Sequence, residues 1–263
     1  MESTSDGGYL RQEAYRVRFE RGERGALGLL SRRPPDVQVA IVVDVLSFST
    51  AVDVAVSRGA HVFPSRFKSL AESAQIATMY DALLAVPRSA RTDASPYTLS
   101  PSTLDALPPG ARLVLPSPNG ARCVRAAYDC RVPVVIVGCL RNVHAVAAFA
   151  RARAGKKGAV AVIAAGERWT DGTLRPSVED DLGAGAILAA LELDAAYSPE
   201  ARYIASAFTA TRDTLIDTVR DSVSGRELAE AGYGDEVSWS LDVDVSTTVP
   251  LLQEDGFIGA APS

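Results

Sequence analysis

The sequence predicts an α/β protein with three layers, α/β/α, around a mostly parallel central sheet. Three observations carry this. Short apolar, β-branched runs alternate with longer Ala-rich stretches of helical period, the pattern of successive βαβ units. The runs are apolar throughout, as in strands covered on both faces. The chain has 263 residues, 47 % hydrophobic and 22 % charged, enough to bury a sizeable core.

Taken in order, Ala14–Glu20 alternates like a strand and the stretch after it has helical character. Val39–Val45 is the first buried strand, followed by helices at Thr50–Ser57 and Leu70–Tyr80. Pro87–Pro109 is rich in Pro, Ser and Thr, which predicts a long excursion, a lid or subdomain loop. Strands at Leu113–Leu115, Val134–Val137 and Val160–Ile163 then alternate with helices at Ala121–Tyr128, Val143–Arg153 and Val178–Leu193. The C-terminal region, 198–263, reads as helical through Thr218–Arg220 and at Gly225–Ala231, then as an acidic, β-prone tail, Glu236–Val249. No internal repeat divides residues 1–263, so one domain is expected.

Composition narrows the chemistry. The longest apolar run, Val37–Leu46, carries Asp44 near its end and is too short to span a bilayer. Met1–Tyr9 is polar and acidic, unlike a signal peptide. Three cysteines without a CxxC pair support neither a zinc site nor a disulfide framework. A cytoplasmic protein with no membrane partner is expected, and its oligomeric state is open. The net charge of −5 argues against nucleic acid as a partner. Two histidines (His61, His144) and three lysines leave little from which to build a site on imidazoles or amines. Carboxylates, Arg, hydroxyls and backbone N–H groups are the available parts.

Those parts gather at four strand-to-helix junctions: Asp44-Val-Leu-Ser-Phe-Ser-Thr50, Pro116-Ser-Pro-Asn-Gly120, Gly138-Cys-Leu-Arg-Asn142 and Ala165-Gly-Glu-Arg-Trp169, the last followed by Ser177-Val-Glu-Asp-Asp181. In an open α/β sheet such junctions share the carboxyl edge, where ligands bind, and helix starts there favour anions. Each of Ser49, Thr50, Asn119 and Asn142 also suits a plain N-cap. Asp44 closes an apolar strand, where a lone charge is costly, so it calls for a cation or N–H donors. Glu179 and Asp180 form a second acidic focus. Consecutive helical residues fan apart by about 100°, which leaves Asp181 outside it. Ser177 with Asp180 also resembles a capping box. Arg141, Arg168 and Arg175 are candidate anion clamps.

Nucleophile motifs are missing. The positions six after Cys123, Cys130 and Cys139 are Asp129, Ile136 and Ala145, where a cysteine phosphatase needs Arg. Leu46 stands where an aspartyl-phosphate enzyme needs its second Asp after Asp44. No GxxxxGK[ST] loop or GxSxG elbow occurs.

In their fixed order, the Asp44–Thr50 run, Ser117-Pro-Asn-Gly, Gly138-Cys-Leu-Arg-Asn, Ala165-Gly-Glu-Arg and Ser177-Val-Glu-Asp resemble the 2-phosphosulfolactate phosphatase family from about residue 37 to 195, with weaker echoes at Gly225–Leu228 and Val249-Pro250. Ser47 and Ala51 depart from its pattern, which carries Arg and Thr there. The resemblance implies a three-layer α/β/α fold and magnesium-dependent hydrolysis of a phosphate ester of a small sulfonated or carboxylated hydroxy acid, a reaction of coenzyme M synthesis. The expected site has Mg²⁺ on Asp44 with Glu179 and Asp180, and a phosphate cradle from Ser49, Thr50, Ser117, Asn119, Gly120 and Asn142. Arg168 and Arg141 neutralise developing charge beside the catalytic Asp44. A non-catalytic anion-binding protein, and a phosphatase acting on an unrelated phosphorylated small acid, are the alternatives.

Overall fold

The structure is a computed structural model and describes residues 10–31, 36–66, 69–193 and 196–260; the stretch Met1–Tyr9 lies outside them. In chain order the elements are β1 (Val17–Arg21), α1 (Gly22–Leu30), β2 (Val37–Val43), α2 (Phe48–Ser57), β3 (His61–Arg66), α3 (Leu70–Met79), β4 (Leu83–Leu84), α4 (Pro101–Leu104), β5 (Arg112–Ser117), α5 (Gly120–Asp129), β6 (Val134–Gly138) and α6 (Val143–Ala154). They continue with β7 (Ala159–Ala164), β8 (Glu167–Arg168), β9 (Leu174–Arg175), α7 (Val178–Ala190), α8 (Pro199–Thr211), α9 (Leu215–Asp221), α10 (Val223–Glu230), α11 (Gly234–Ser240), β10 (Pro250–Gln253) and β11 (Gly256–Gly259).

Nine strands form one mixed, mostly parallel sheet in the order β1-β7-β2-β6-β10-β11-β3-β5-β4, flanked by helices on both faces in three layers; β8 and β9 pair separately. The two-residue period of a strand divides its residues between two cores. Val39, Ile41 and Val43 face α6, α7 and α8 through Val146, Ile187 and Ile204. Ala40 and Val42 face α1, α2 and α5 through Leu29, Val52 and Val124. A small third core, Phe63, Ala77 and Val114, seats α3 on β3 and β5. Among the described residues no helix is long and apolar enough to cross a membrane.

The C-terminal hairpin corrects the expected topology. β10 and β11 insert between two parallel groups, and the pairings β6–β10, β10–β11 and β11–β3 are all antiparallel. Along the sheet, β3, β5 and β4 therefore run opposite to β1, β7, β2 and β6. The junction after β5 does not share an edge of a flat sheet with the others. It reaches Asp44 because the sheet curls. Strands lie about 4.8 Å apart, so five steps from β2 to β5 would span about 24 Å if flat, yet the Gly120 N–H lies 2.9 Å from Asp44 Oδ2. The single-residue pairings Leu251–Ile136 and Phe257–Val62 mark the bends.

Two further expectations change. Glu236–Val249 is not a strand: α11 ends at Ser240 and the rest is irregular up to β10. Its backbone is anchored on the turn after β6, by Asp244 N–H to Leu140 O and Ser246 N–H to Arg141 O. Within Pro87–Pro109 the chain forms a turn of 3₁₀ helix at Arg88–Ala90 and then α4.

Candidate active site

Asp44 follows the last residue of β2 and is buried. Its carboxylate starts α2: Oδ1 accepts the Phe48 N–H at 3.1 Å, and Oδ2 accepts the Gly120 N–H at 2.9 Å. The N–H donors that its burial calls for thus come from the first residues of two helices from opposite halves of the sheet. Gly120 is required for the approach, because a Cβ there would lie 2.7 Å from Asp44 Oδ2 and 2.3 Å from Phe48 Cδ1. Burial, then repulsion from Glu167, pushes the Asp44 carboxyl up to about 7, against the pull of the two N–H groups; Glu179 adds a smaller upward push.

Glu167 lies beside it on β8. The Asn119 amide, at the start of α5, makes no capping bond and instead donates to Glu167 Oε2 at 2.8 Å. Burial raises the Glu167 carboxyl, opposed by this bond and by the Arg175 charge. Glu179, in the first turn of α7, is buried and joined to no other described residue by a side-chain hydrogen bond. Asp180 accepts the Val45 N–H at 2.7 Å and the Gly166 N–H at 2.8 Å, stapling the end of β2 to the end of β7. Its carboxyl stands well above the usual range through burial and the Asp44 and Glu179 charges. Asp181 turns away to Arg21, at 2.7 Å. The capping box expected at Ser177 does not form: Asp180 is engaged elsewhere and Ser177 Oγ is buried without a partner.

Of these groups Asp44, Asn119 and Glu167 line a cavity of about 280 Å³; Glu179 and Asp180 lie behind them and are not among its lining residues. Asp44, Leu46 and Ser47 form one wall, Ser117–Asn119 and Glu167 a second. The roof is Arg88 from the excursion with Ser224, Glu227 and Tyr233 from the C-terminal helices. Two arginines tie that roof down. Arg175 lies 3.4 Å from Glu227 Oε2 and 3.5 Å from Ser224 Oγ. Arg88 pairs with the buried Glu236 and lies over the Tyr233 ring. A larger groove, about 480 Å³, lies between α3 and α5. Of its acids, Glu72 is half-buried and Asp129, Glu254 and Asp255 are exposed; the carboxylates raised by burial, Asp44 and Glu167, line the smaller cavity and single it out.

A family model described as 2-phosphosulpholactate phosphatase matches residues 29–255. The chain belongs to that family. It is similar to a 2-phosphosulfolactate phosphatase of Methanothermobacter thermautotrophicus, 29 % identical over 223 residues, covering 84 % of this chain and 90 % of the relative. It is also similar to a probable 2-phosphosulfolactate phosphatase of Caldanaerobacter subterraneus subsp. tengcongensis, 28 % identical over 222 residues, covering 81 % and 87 % respectively.

In this member of the 2-phosphosulpholactate phosphatase family, the residues predicted for the site divide. Asp44, Ser117 and Asn119 line the cavity, and Gly120 serves it through its N–H to Asp44. Arg141 and Asn142 do not line it. Arg141 Nε binds Asp53 Oδ2 at 3.2 Å and its Nη1 reaches Trp239 O and Asp242 Oδ2, both at 3.1 Å. Asn142 donates to Asp53 Oδ1 at 3.2 Å and Thr248 O at 3.1 Å. Asp53 is a buried acid inside α2, its carboxyl raised by burial against the pull of Ser246, Arg141 and Asn142. Satisfying it consumes both residues. The Ser49 and Thr50 hydroxyls are also used internally, on Val42 O at 3.2 Å and Val45 O at 2.8 Å. Arg168 lies across the Asn119–Glu167 pair, in an adjoining cavity of about 420 Å³, where it donates to Gly172 O at 2.7 Å and approaches Glu23.

Sequence reasoning missed Glu167 as an acid of the site, and Arg88, Tyr233 and Glu236 altogether. Glu167 had a signal, since it sits in the fourth junction. The other three come from the excursion and the C-terminal helices and meet only through tertiary packing.

Among the described residues, no group of three or more His, Cys, Asp or Glu side chains is disposed to hold a metal ion. The donors that are present fit magnesium, which takes one or two carboxylates directly and fills its octahedron with water and phosphate oxygens. Asp44 and Glu179 are buried and Glu167 is half-buried, close enough to repel one another, and a cation relieves that repulsion.

Proposed function

We propose that the chain is a phosphoric monoester hydrolase acting on 2-phosphosulfolactate or a close analogue, a small hydroxy acid that carries a phosphate ester and a further acidic group. The observation that carries this reading is the Asp44 carboxylate, held by two backbone N–H groups at the wall of a cavity in a chain of this family. The mutual repulsion of Asp44, Glu167 and Glu179 supports Mg²⁺ as cofactor, with Asp44 and Glu179 to hold it. When bound, Mg²⁺ supplies Lewis-acid polarisation of the phosphoryl oxygens. Asp180, with both oxygens on backbone N–H groups, braces the site and is not assigned as a ligand.

The chain's own groups do the rest. Ser117 and the start of α5 orient the phosphoryl group. Glu167, aimed by Asn119 and with its carboxyl raised, accepts a proton from the attacking water as the ester P–O bond breaks, and solvent protonates the departing alkoxide. Arg175 lowers the cost of the Glu167 charge.

The test is phosphate release from 2-phosphosulfolactate, 2-phospholactate and phenyl phosphate, with Mg²⁺ and with excess EDTA. Turnover in Mg²⁺, reduced about a hundredfold or more by EDTA or by Asp44→Ala, is expected. Full activity of Asp44→Ala overturns the mechanism, and turnover unchanged in EDTA removes the metal.

A further inference from the structure

Arg88 is the one basic side chain among the described residues that line the Asp44 cavity, and the chemistry above makes no use of it. It is carried by the 3₁₀ turn at the start of the excursion. Its Nε lies 3.0 Å from each Glu236 oxygen, and Nη2 binds Glu236 and reaches Ser47 Oγ at 3.3 Å. Its guanidinium carbon sits 5.3 Å from the centre of the Tyr233 ring. Glu236 is buried on α11, so a fixed acid and an aromatic face hold one edge of the guanidinium. Nη1 makes no hydrogen bond with any described residue. A guanidinium is a rigid planar fork. With the Nε edge gripped and the second Nη2 proton on Ser47 Oγ, the two Nη1 donors remain for a second anion, with the Ser47 hydroxyl beside them.

The other rim arginines are engaged elsewhere: Arg141 on Asp53, Arg168 in the adjoining cavity, Arg175 on Glu227. Ser47 touches Arg88 and is three residues from Asp44, which puts the two ends of the cavity within about 10 Å of each other, the scale of a three-carbon acid bearing a phosphate.

We infer that Arg88 is the specificity-determining residue of the site. It takes the second acidic group of the phosphorylated acid, carboxylate or sulfonate, while the Asp44 wall takes the phosphate, and Glu236 is the positioning residue that aims it. This rests on the function proposed above. It also explains why the excursion and the C-terminal helices meet over the cavity, since each supplies half of a clamp on the substrate's non-reacting end.

The experiment compares wild type, Arg88→Lys, Arg88→Gln and Glu236→Gln, with melting temperatures recorded to confirm folding. The primary readout is the ratio of kcat/KM for 2-phosphosulfolactate to that for phenyl phosphate, which has no second acid. Loss of this charge-assisted contact lowers the ratio about tenfold or more in Arg88→Gln; Arg88→Lys keeps part of it. Glu236→Gln raises KM for 2-phosphosulfolactate more than it lowers kcat. An unchanged ratio in Arg88→Gln overturns the inference, and a Glu236→Gln variant changed only in melting temperature overturns the positioning role. Retention of the ratio with 2-phospholactate assigns the carboxylate as the group bound, and its loss assigns the sulfonate. If the wild type hydrolyses none of these esters, the proposed function fails, and Arg88 is judged by calorimetry with 3-sulfolactate, which lacks the phosphate. Binding weakened tenfold by Arg88→Gln then sustains the anion clamp; equal binding, or none in the wild type, overturns it.

Discussion

Replacing Gly120 with alanine probes the contact on which the site is built. The new Cβ would lie 2.3 Å from Phe48 Cδ1 and 2.7 Å from Asp44 Oδ2, and Phe48, the first residue of α2, is itself fully buried with its ring edge-on to Phe257 of β11. Overpacking of this kind costs about 1–3 kcal/mol. If α5 moves away to relieve it, the 2.9 Å hydrogen bond from Gly120 N–H to Asp44 is lost, and a bond to a charged group contributes about 1.5–3 kcal/mol. Either the clash persists or the hydrogen bond is lost, so the predicted loss is about 1–3 kcal/mol, on the order of 5 °C in melting temperature for a chain of this size. The same change removes one of the two donors that hold the Asp44 carboxyl down, so its titration moves above about 7 and the acid limb of the pH–rate profile shifts toward alkaline pH. Thermal melting by circular dichroism and a pH profile of phosphate release measure the two effects. A melting point within about 2 °C of wild type, with an unshifted acid limb, would mean that the Gly120–Asp44 contact does not hold the site together.

Other predictions concern the groups around this contact. Asp180→Ala leaves the Val45 and Gly166 N–H groups without their acceptor, costing about 1–3 kcal/mol for each; a melt no lower than wild type contradicts the bracing role. Glu179→Gln weakens Mg²⁺ binding in calorimetry while leaving the metal-free melting point near wild type, and unaltered affinity removes Glu179 as a ligand. Asp44, Asp53, Glu167 and Asp180 all have carboxyls raised by folding. Between about pH 4 and the raised values the folded chain therefore keeps protons the unfolded chain has lost, and stability falls as pH rises through that window. The melting point in EDTA should drop from pH 5 to pH 8, and saturating Mg²⁺ should restore more of it at pH 8 than at pH 5; a rise in EDTA contradicts this. Arg141→Ala strips the buried Asp53 of its cation and should cost about 2 kcal/mol in a urea melt; a drop in kcat without loss of stability would return Arg141 to the active site.

What the sequence made legible was local. The strands at the heart of the sheet, β2, β6 and β7, are apolar on both faces and declare themselves, as do the helices that follow. β3, β10 and β11 did not. His61–Arg66 holds a Pro and two basic residues, and the C-terminal hairpin has four-residue strands whose place depends on one paired residue on either side. No local pattern encodes such long-range pairing. The site divides in the same way. Asp44, Ser117, Asn119 and Gly120 announce themselves at junctions. Arg141 misled because its true partner, Asp53, is an acid within the apolar helix Phe48–Ser57, invisible until α2 is packed. Arg88 and Glu236 are 148 residues apart and only the fold brings them together. Asp180 was expected as a metal ligand beside Glu179, but both its oxygens accept backbone N–H groups; spacing along a helix cannot tell a group that faces a cavity from one that ties two strand ends.

Whether phosphate ester and metal meet in the Asp44 cavity is settled by a crystal structure of the protein soaked with Mn²⁺ and orthovanadate. An anomalous peak on the Asp44 and Glu179 carboxylates is expected, with the vanadate beside Ser117 and Asn119 and the open edge of Arg88 facing the same cavity. Metal or vanadate bound instead in the groove between α3 and α5, with the Asp44 cavity empty, would place the chemistry elsewhere and remove Asp44 from its centre.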